Sequence, residues 1–130
     1  MQKTGARISQ VGAVIVPVTD QERAIEFYVG TLGFEKRLDV AFGENGERWV
    51  EVAPPGAETA LAIVPPRPGD PTGVETRVAL ATDDADAAHA AMRAAGVDVD
   101  PEVSRMGDPV PPLFFFRDPD GNTLFVVERD

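Results

Sequence analysis

Two landmarks repeat along this chain at one spacing: Thr19-Asp20 returns as Thr82-Asp83 and Gly33 returns as Gly96, each 63 residues on. Two independent coincidences at one offset mark a duplicated unit. A chain of 130 residues can enclose one hydrophobic core but not two independent ones. The duplication therefore predicts a single domain over residues 1–130 in which two copies of one small motif bury their apolar faces together.

Each copy reads as strand, helix, glycine stop and further strands. In the first, Val14 to Val18 is rich in β-formers, and Thr19 with Glu22 three residues later has the form of a capping box. Ala24, Phe27, Tyr28 and Leu32 then form a helical apolar stripe that Gly33 ends. Strands are predicted near 34–42, 47–53 and 59–65, separated by Glu44-Asn45-Gly46 and Pro54-Pro55-Gly56. The second copy predicts a strand near 74–81, a helix over 84–95 with Ala85, Ala88, Met92 and Ala95 inward, and strands near 97–100, 112–117 and 122–128. Asp118-Pro119-Asp120-Gly121-Asn122 has turn chemistry and joins the last two strands. Four prolines between Pro65 and Pro71 forbid a helix and favour extended chain. The organisation is thus an α+β fold of two βαβββ modules, about 8–65 and 74–130, with a linker over 65–73.

Charge and composition exclude several functions. Acidic residues outnumber basic ones 22 to 12, so the mean surface potential repels nucleic acid and anionic lipid. There is no cysteine, hence no disulfide, thiolate metal site or Cys nucleophile. The apolar run Val11 to Val18 is too short to span a membrane and lacks a signal-peptide flank, and a cytoplasmic protein is expected. His89 is the sole histidine; it falls beside the second helix's apolar stripe and is expected in solvent, which leaves no Ser-His-Asp arrangement.

The segments Val16-Pro17-Val18-Thr19-Asp20, Phe27-Tyr28, Leu32-Gly33-Phe34, Ala94-Ala95-Gly96-Val97 and Asp118-Pro119-Asp120-Gly121-Asn122 resemble the vicinal-oxygen-chelate superfamily. That superfamily includes glyoxalase I, fosfomycin-resistance enzymes, extradiol dioxygenases and bleomycin-binding proteins, and the resemblance covers nearly the whole chain. It implies mixed sheets curled into cups around a site, often completed by a second chain. Catalytic members hold a divalent metal with His and Glu side chains at four cup positions, which correspond here to Ala13, Ile63, Arg77 and Phe125. None offers a metal-binding donor, since Arg77 is a permanent cation and the others are hydrocarbon. Of the residues flanking these positions, Glu75 alone is a useful ligand. No metal or other cofactor is expected.

Period-two alternation places Leu113, Phe115 and Arg117 on one strand face, Phe125 and Val127 on one face of its neighbour, and Trp49 with Glu51 together on the third strand. By resemblance these faces look into the cup, whereas Phe114 and Phe116 point toward the helices. The expected ligand site is Trp49, Ile63, Arg77, Leu113, Phe115 and Phe125, an aromatic pocket with one cation. The leading expectation is a metal-free binder, with no catalytic residue, that sequesters a hydrophobic, partly aromatic molecule such as an antibiotic. The alternative is an enzyme: a lyase, isomerase or dioxygenase with displaced metal ligands, or a metal-free catalyst using Glu51, Glu75 or Arg77. Open apolar cup faces predict a two-fold homodimer.

Overall fold

The computed structural model describes residues 2–129, so the two ends of the predicted domain, Met1 and Asp130, lie outside the described residues. Two four-stranded mixed sheets account for all the strands. The first contains β1 (Ala13–Pro17), β2 (Glu35–Ala41), β3 (Arg48–Ala53) and β4 (Ala60–Val64), in the spatial order β1-β4-β3-β2. The second contains β5 (Glu75–Thr82), β6 (Asp98–Val99), β7 (Leu113–Arg117) and β8 (Thr123–Glu128), in the order β5-β8-β7-β6. In each, the first strand pairs in parallel with the last and the remaining pairs are antiparallel, so the duplication seen in sequence is a duplication of topology. β6 is only two residues long because Pro101 follows it and Pro109, Pro111 and Pro112 keep the chain out of regular structure until β7.

One helix belongs to each copy, and the two differ by a residue. α1 (Gln21–Ile25) continues into a π-helical stretch, Glu26–Thr31, closed by Leu32 N–H to Phe27 O at 3.0 Å. α2 (Ala85–Ala94) is regular. The caps are Asp20 and Asp84, whose carboxylates accept from the N–H of Arg23 and Ala87 at 3.1 and 3.0 Å. The cap expected at Thr19 is therefore displaced by one residue, whereas the second helix starts at the predicted Asp84. Thirteen residues separate Asp20 from Gly33 and twelve separate Asp84 from Gly96, and the wider π turn absorbs the extra one. Thr19 acts elsewhere: its hydroxyl donates to Asp120 Oδ2 at 2.7 Å.

A shared core joins the copies. Val16, Tyr28, Val50, Val52 and Ile63 of the first and Phe114, Phe116, Leu124 and Val126 of the second form one buried cluster, with Phe27 and Phe116 ring centroids 6.4 Å apart. His89 belongs to it rather than to solvent, correcting the expectation. It is 9% exposed, lies edge-on to Phe114 at 5.0 Å, and its Nε2 is 2.6 Å from the Asp100 carbonyl oxygen. The buried stripe of α2 runs through Ala85 and His89, four residues apart on one face, and Ala95 is exposed.

The turn Asp118–Asn122 locks the copies together. Asp118 is 5% exposed and accepts from the N–H groups of Asp120 and Asn122, the Tyr28 hydroxyl and Asn122 Nδ2, each at 2.9 Å. Asn122 is fully buried; its Nδ2 also donates to Pro17 O at 2.8 Å and its Oδ1 accepts from Val74 N–H at 2.9 Å. Burial first, and then the charge and hydrogen bond of Asp118, hold the Tyr28 phenol above its ordinary pKa, so at neutral pH it is a hydroxyl that donates. Tyr28→Phe withdraws one donor from a buried carboxylate and should cost about 1–3 kcal/mol in urea unfolding. Asn122→Ala strips three contacts and should cost more; a loss within about 0.5 kcal/mol, the range of a bland surface change, would refute this role.

Candidate functional site

Directly opposed residues in a sheet share a face, so strand register identifies what each sheet turns away from the core. In the first sheet, Leu38 opposes Glu51, Glu51 opposes Ala62 and Ala62 opposes Ile15, forming one row; Val40 and Trp49 are opposed alongside it. The alternate residues Val14, Val16, Val50, Val52, Leu61 and Ile63 pack in or against the core. Apart from Glu51 the outer face is apolar, and much of it is open to water, with Ile15 57%, Val40 47% and Phe42 46% exposed. Phe42 meets Trp49 edge-on at 6.5 Å, and Trp49 Nε1 donates to Glu51 Oε2 at 2.7 Å, which fixes the indole. With Ile15, Pro17 and the proline segment Pro65–Pro71, these rings line a groove of about 530 Å³.

The second sheet presents a different surface. Phe115 opposes Phe125 and Phe125 opposes Ala79, so the two rings meet across strands at 5.3 Å with a 42° tilt. They line a groove of about 470 Å³ together with Glu75 and Arg77. Between Glu75 and Ala79 the pairing of β5 slips: four residues of β5 pass while β8 advances two, and Arg77 sits in that bulge at φ 60°. A left-handed conformation is costly for a side chain with a Cβ, and such positions occur where the surroundings over-determine them. Here Thr76 helps hold the bulge, its hydroxyl donating to Thr123 O at 2.7 Å and accepting from Val78 N–H at 3.1 Å. Arg77 N–H lies 3.4 Å from Glu75 Oε1, and among the described residues its guanidinium has no hydrogen-bond or ion-pair partner.

Of the six residues expected at the site, Arg77, Phe115 and Phe125 share one groove. Leu113 lies on the same face of β7, opposed to Val127. Trp49 lines the other groove, and the two grooves have no residue in common. Ile63 is not on either outer face: it is fully buried against the helix side, and Ala62, one residue earlier, takes the outward position. A strand reverses its side chains at every residue, so an alignment one position out moves a residue from cup to core. Ile15, Phe42 and the proline segment escaped sequence reasoning, although Leu38, Val40 and Phe42 alternate visibly along and just past β2.

Ala13 and Arg77 each lie seven residues before an N-cap, Asp20 and Asp84, and Ala62 and Phe125 take the outward positions of β4 and β8. A hydrocarbon, a cation, a second hydrocarbon and a phenyl ring do not fit a divalent metal. Among the described residues no three His, Asp or Glu side chains gather as a metal-holding group. No helix among them is long and apolar enough to cross a membrane.

Comparison with known proteins agrees with this geometry. TnmS3 from Streptomyces sp. CB03234, described as an antibiotic binding protein, superposes with a TM-score of 0.81 at 40% identity, over 96% of this chain and 99% of that one. A Sphaerobacter thermophilus DSM 20745 member of the glyoxalase/bleomycin resistance protein/dioxygenase superfamily gives 0.87 at 37% identity, over 95% and 100%. The uncharacterized protein YetH of Bacillus subtilis (strain 168) is 45% identical over 58 residues, a match spanning 45% of this chain and about half, 48%, of YetH. The family model of the Glyoxalase/Bleomycin resistance protein/Dioxygenase superfamily matches residues 7–126, and the chain, with its two βαβββ copies in two four-stranded mixed sheets, belongs to that superfamily.

Proposed function

We propose that the protein binds and sequesters a hydrophobic, partly aromatic small molecule such as an antibiotic, without a metal or other cofactor and without turning it over. The observation that carries this reading is the Phe115–Phe125 pair. The same strand β7 buries Phe114 and Phe116 completely in the core, yet Phe115 and Phe125 are held partly exposed on a groove. Aromatic rings paired at a partly exposed surface gain stacking and burial when a flat apolar molecule covers them. The likeness to TnmS3, described as an antibiotic binding protein, supports the same class of ligand.

In this reading the working unit is a homodimer acting in the cytoplasm. Within one chain the Trp49 groove and the Phe115–Phe125 groove share no residue. A two-fold copy that lays the Trp49 face of one chain over the Phe115 face of the other brings both sets of rings onto one ligand, and it covers Ile15, Val40 and Phe42. Sedimentation at about 100 µM, a generous concentration for a stable interface, should show a dimer, and Val40→Glu should shift it toward monomer. A persistent monomer of the unmodified chain sinks the shared-site arrangement.

Trp49 is the single tryptophan, so its fluorescence reports from one place. A polycyclic aromatic ligand should quench it, and Phe115→Ala or Phe125→Ala should each weaken binding by about tenfold, since an aromatic pair contributes roughly 0.5–1.5 kcal/mol beyond the area it buries. Chromatography after long incubation should return the ligand unchanged. Normal binding by both Phe variants, or a chemically altered ligand, would count against sequestration in this groove.

A further inference from the structure

We infer that the groove of the second sheet selects aromatic molecules bearing an anionic oxygen, a carboxylate or an ionised phenol, and that Arg77 is the residue that selects them. This rests on the binding role proposed above and specifies its ligand class. In a chain with a net charge of −10, arginines readily find carboxylates. Arg37, Arg48, Arg67, Arg105 and Arg117 each lie within 4 Å of an Asp or Glu oxygen, and Arg23 and Arg93 donate to the carbonyls of Pro119 and Pro101; Arg7 and Arg129, which like Arg77 have no side-chain partner among the described residues, lie exposed near the two ends of the chain and line neither groove. The contrast holds between the two grooves as well. Arg67, in the Trp49 groove, is bound to Asp70 at 3.0 Å, whereas Arg77, beside the paired Phe rings, has no partner among the described residues.

Placement adds a second, independent reason. Arg77 is the one described residue other than glycine with a positive φ, and it stands at the point where β5 departs from its ladder. Glycine or asparagine meets that backbone at lower cost, so packing gives no reason for arginine there. Its neighbours on the groove are two phenyl rings and Glu75, whose carboxylate makes no ion pair with the guanidinium. A guanidinium offers a planar fork of donors that matches a carboxylate in two parallel bonds, and the rings beside it accept an aromatic body. Glu75 then faces the same ligand as an acceptor for a hydroxyl or N–H elsewhere on it.

The test uses 2-naphthoate and its neutral counterpart 2-naphthamide, titrated calorimetrically into the unmodified protein, Arg77→Gly, Arg77→Asn and Phe115→Ala. Both Arg77 substitutions suit a positive φ, so folding is preserved. The unmodified protein should prefer naphthoate by about tenfold or more, the increment of a charge-assisted bond, and the preference should shrink with added salt. Both Arg77 variants should lose the preference while still binding naphthamide, and Phe115→Ala should weaken both probes alike. Equal binding of the two probes by the unmodified protein with Phe115 still required, or a preference that survives in Arg77→Gly, overturns the anion selection and leaves the groove as a neutral aromatic site. Failure of both probes to bind overturns the groove as a ligand site, and this inference with it.

Discussion

The buried carboxylate of Asp118 is the constraint around which the two halves are organised. A charge taken out of water is tolerable only when its lone pairs are filled. Asp118 fills them with two N–H groups of its own turn, the Asn122 amide and the Tyr28 hydroxyl. Tyr28 belongs to the first copy, and Asn122 reaches the last residue of β1 and the residue before β5. One five-residue turn thus fixes the β7–β8 hairpin, the entry to β5, the exit of β1 and the first helix relative to one another. The exposed bonds from Thr19 to Asp120 and from Arg23 to Pro119 reinforce the same junction from outside.

That junction settles where the apolar surface goes. With the helix-facing sides of both sheets committed to one core, the opposite faces are turned outward, each on its own groove. Burial alternates along β5 and β7 as it must for a sheet with one face packed. What departs from the ordinary is the composition of the open side: on the first sheet it is Ile15, Leu38, Val40 and Phe42, where a solvated face carries polar residues. This is the surface that the proposed ligand and second copy would cover.

The repeat, the strand order of secondary elements and the inward direction of Phe114 and Phe116 were legible because each rests on local chemistry: glycine stops, proline breaks and period-two alternation. The first helix cap was not, because Thr19 and Asp20 are both good caps and only the π turn after Ile25 decides how many residues the helix must hold. His89 was misread because its polarity argued for water, whereas the nearby Asp100 carbonyl satisfies its nitrogen and leaves the ring free to pack on Phe114. Ile63 failed by strand parity, in which a single residue exchanges cup for core. The separation of Trp49 from Phe115 was beyond reach, since it depends on how two sheets far apart in sequence are set by Asp118 and Asn122. Sequence identifies the face a residue occupies far more readily than the neighbour that face will meet.

The duplicated units differ in chemistry at one pair of equivalent positions. Ala13, seven residues before its cap, lies in a regular parallel pairing with Ala60, and the first sheet continues from it as an apolar wall. Arg77, at the same distance from the second cap, stands in a bulge that costs two ladder positions and a left-handed backbone, roughly 1–2 kcal/mol for a residue with a Cβ. Thr76 recovers part of the lost pairing with its hydroxyl, so the distortion is supported rather than merely tolerated. One of these equivalent positions carries a methyl group and the other a cation. A cation set beside two phenyl rings cannot gather a second cation, and its field favours negative charge at the spot where a metal would have to sit. The groove around Arg77 and the two phenyl rings therefore has the chemistry that the proposed recognition of an anionic aromatic molecule would use.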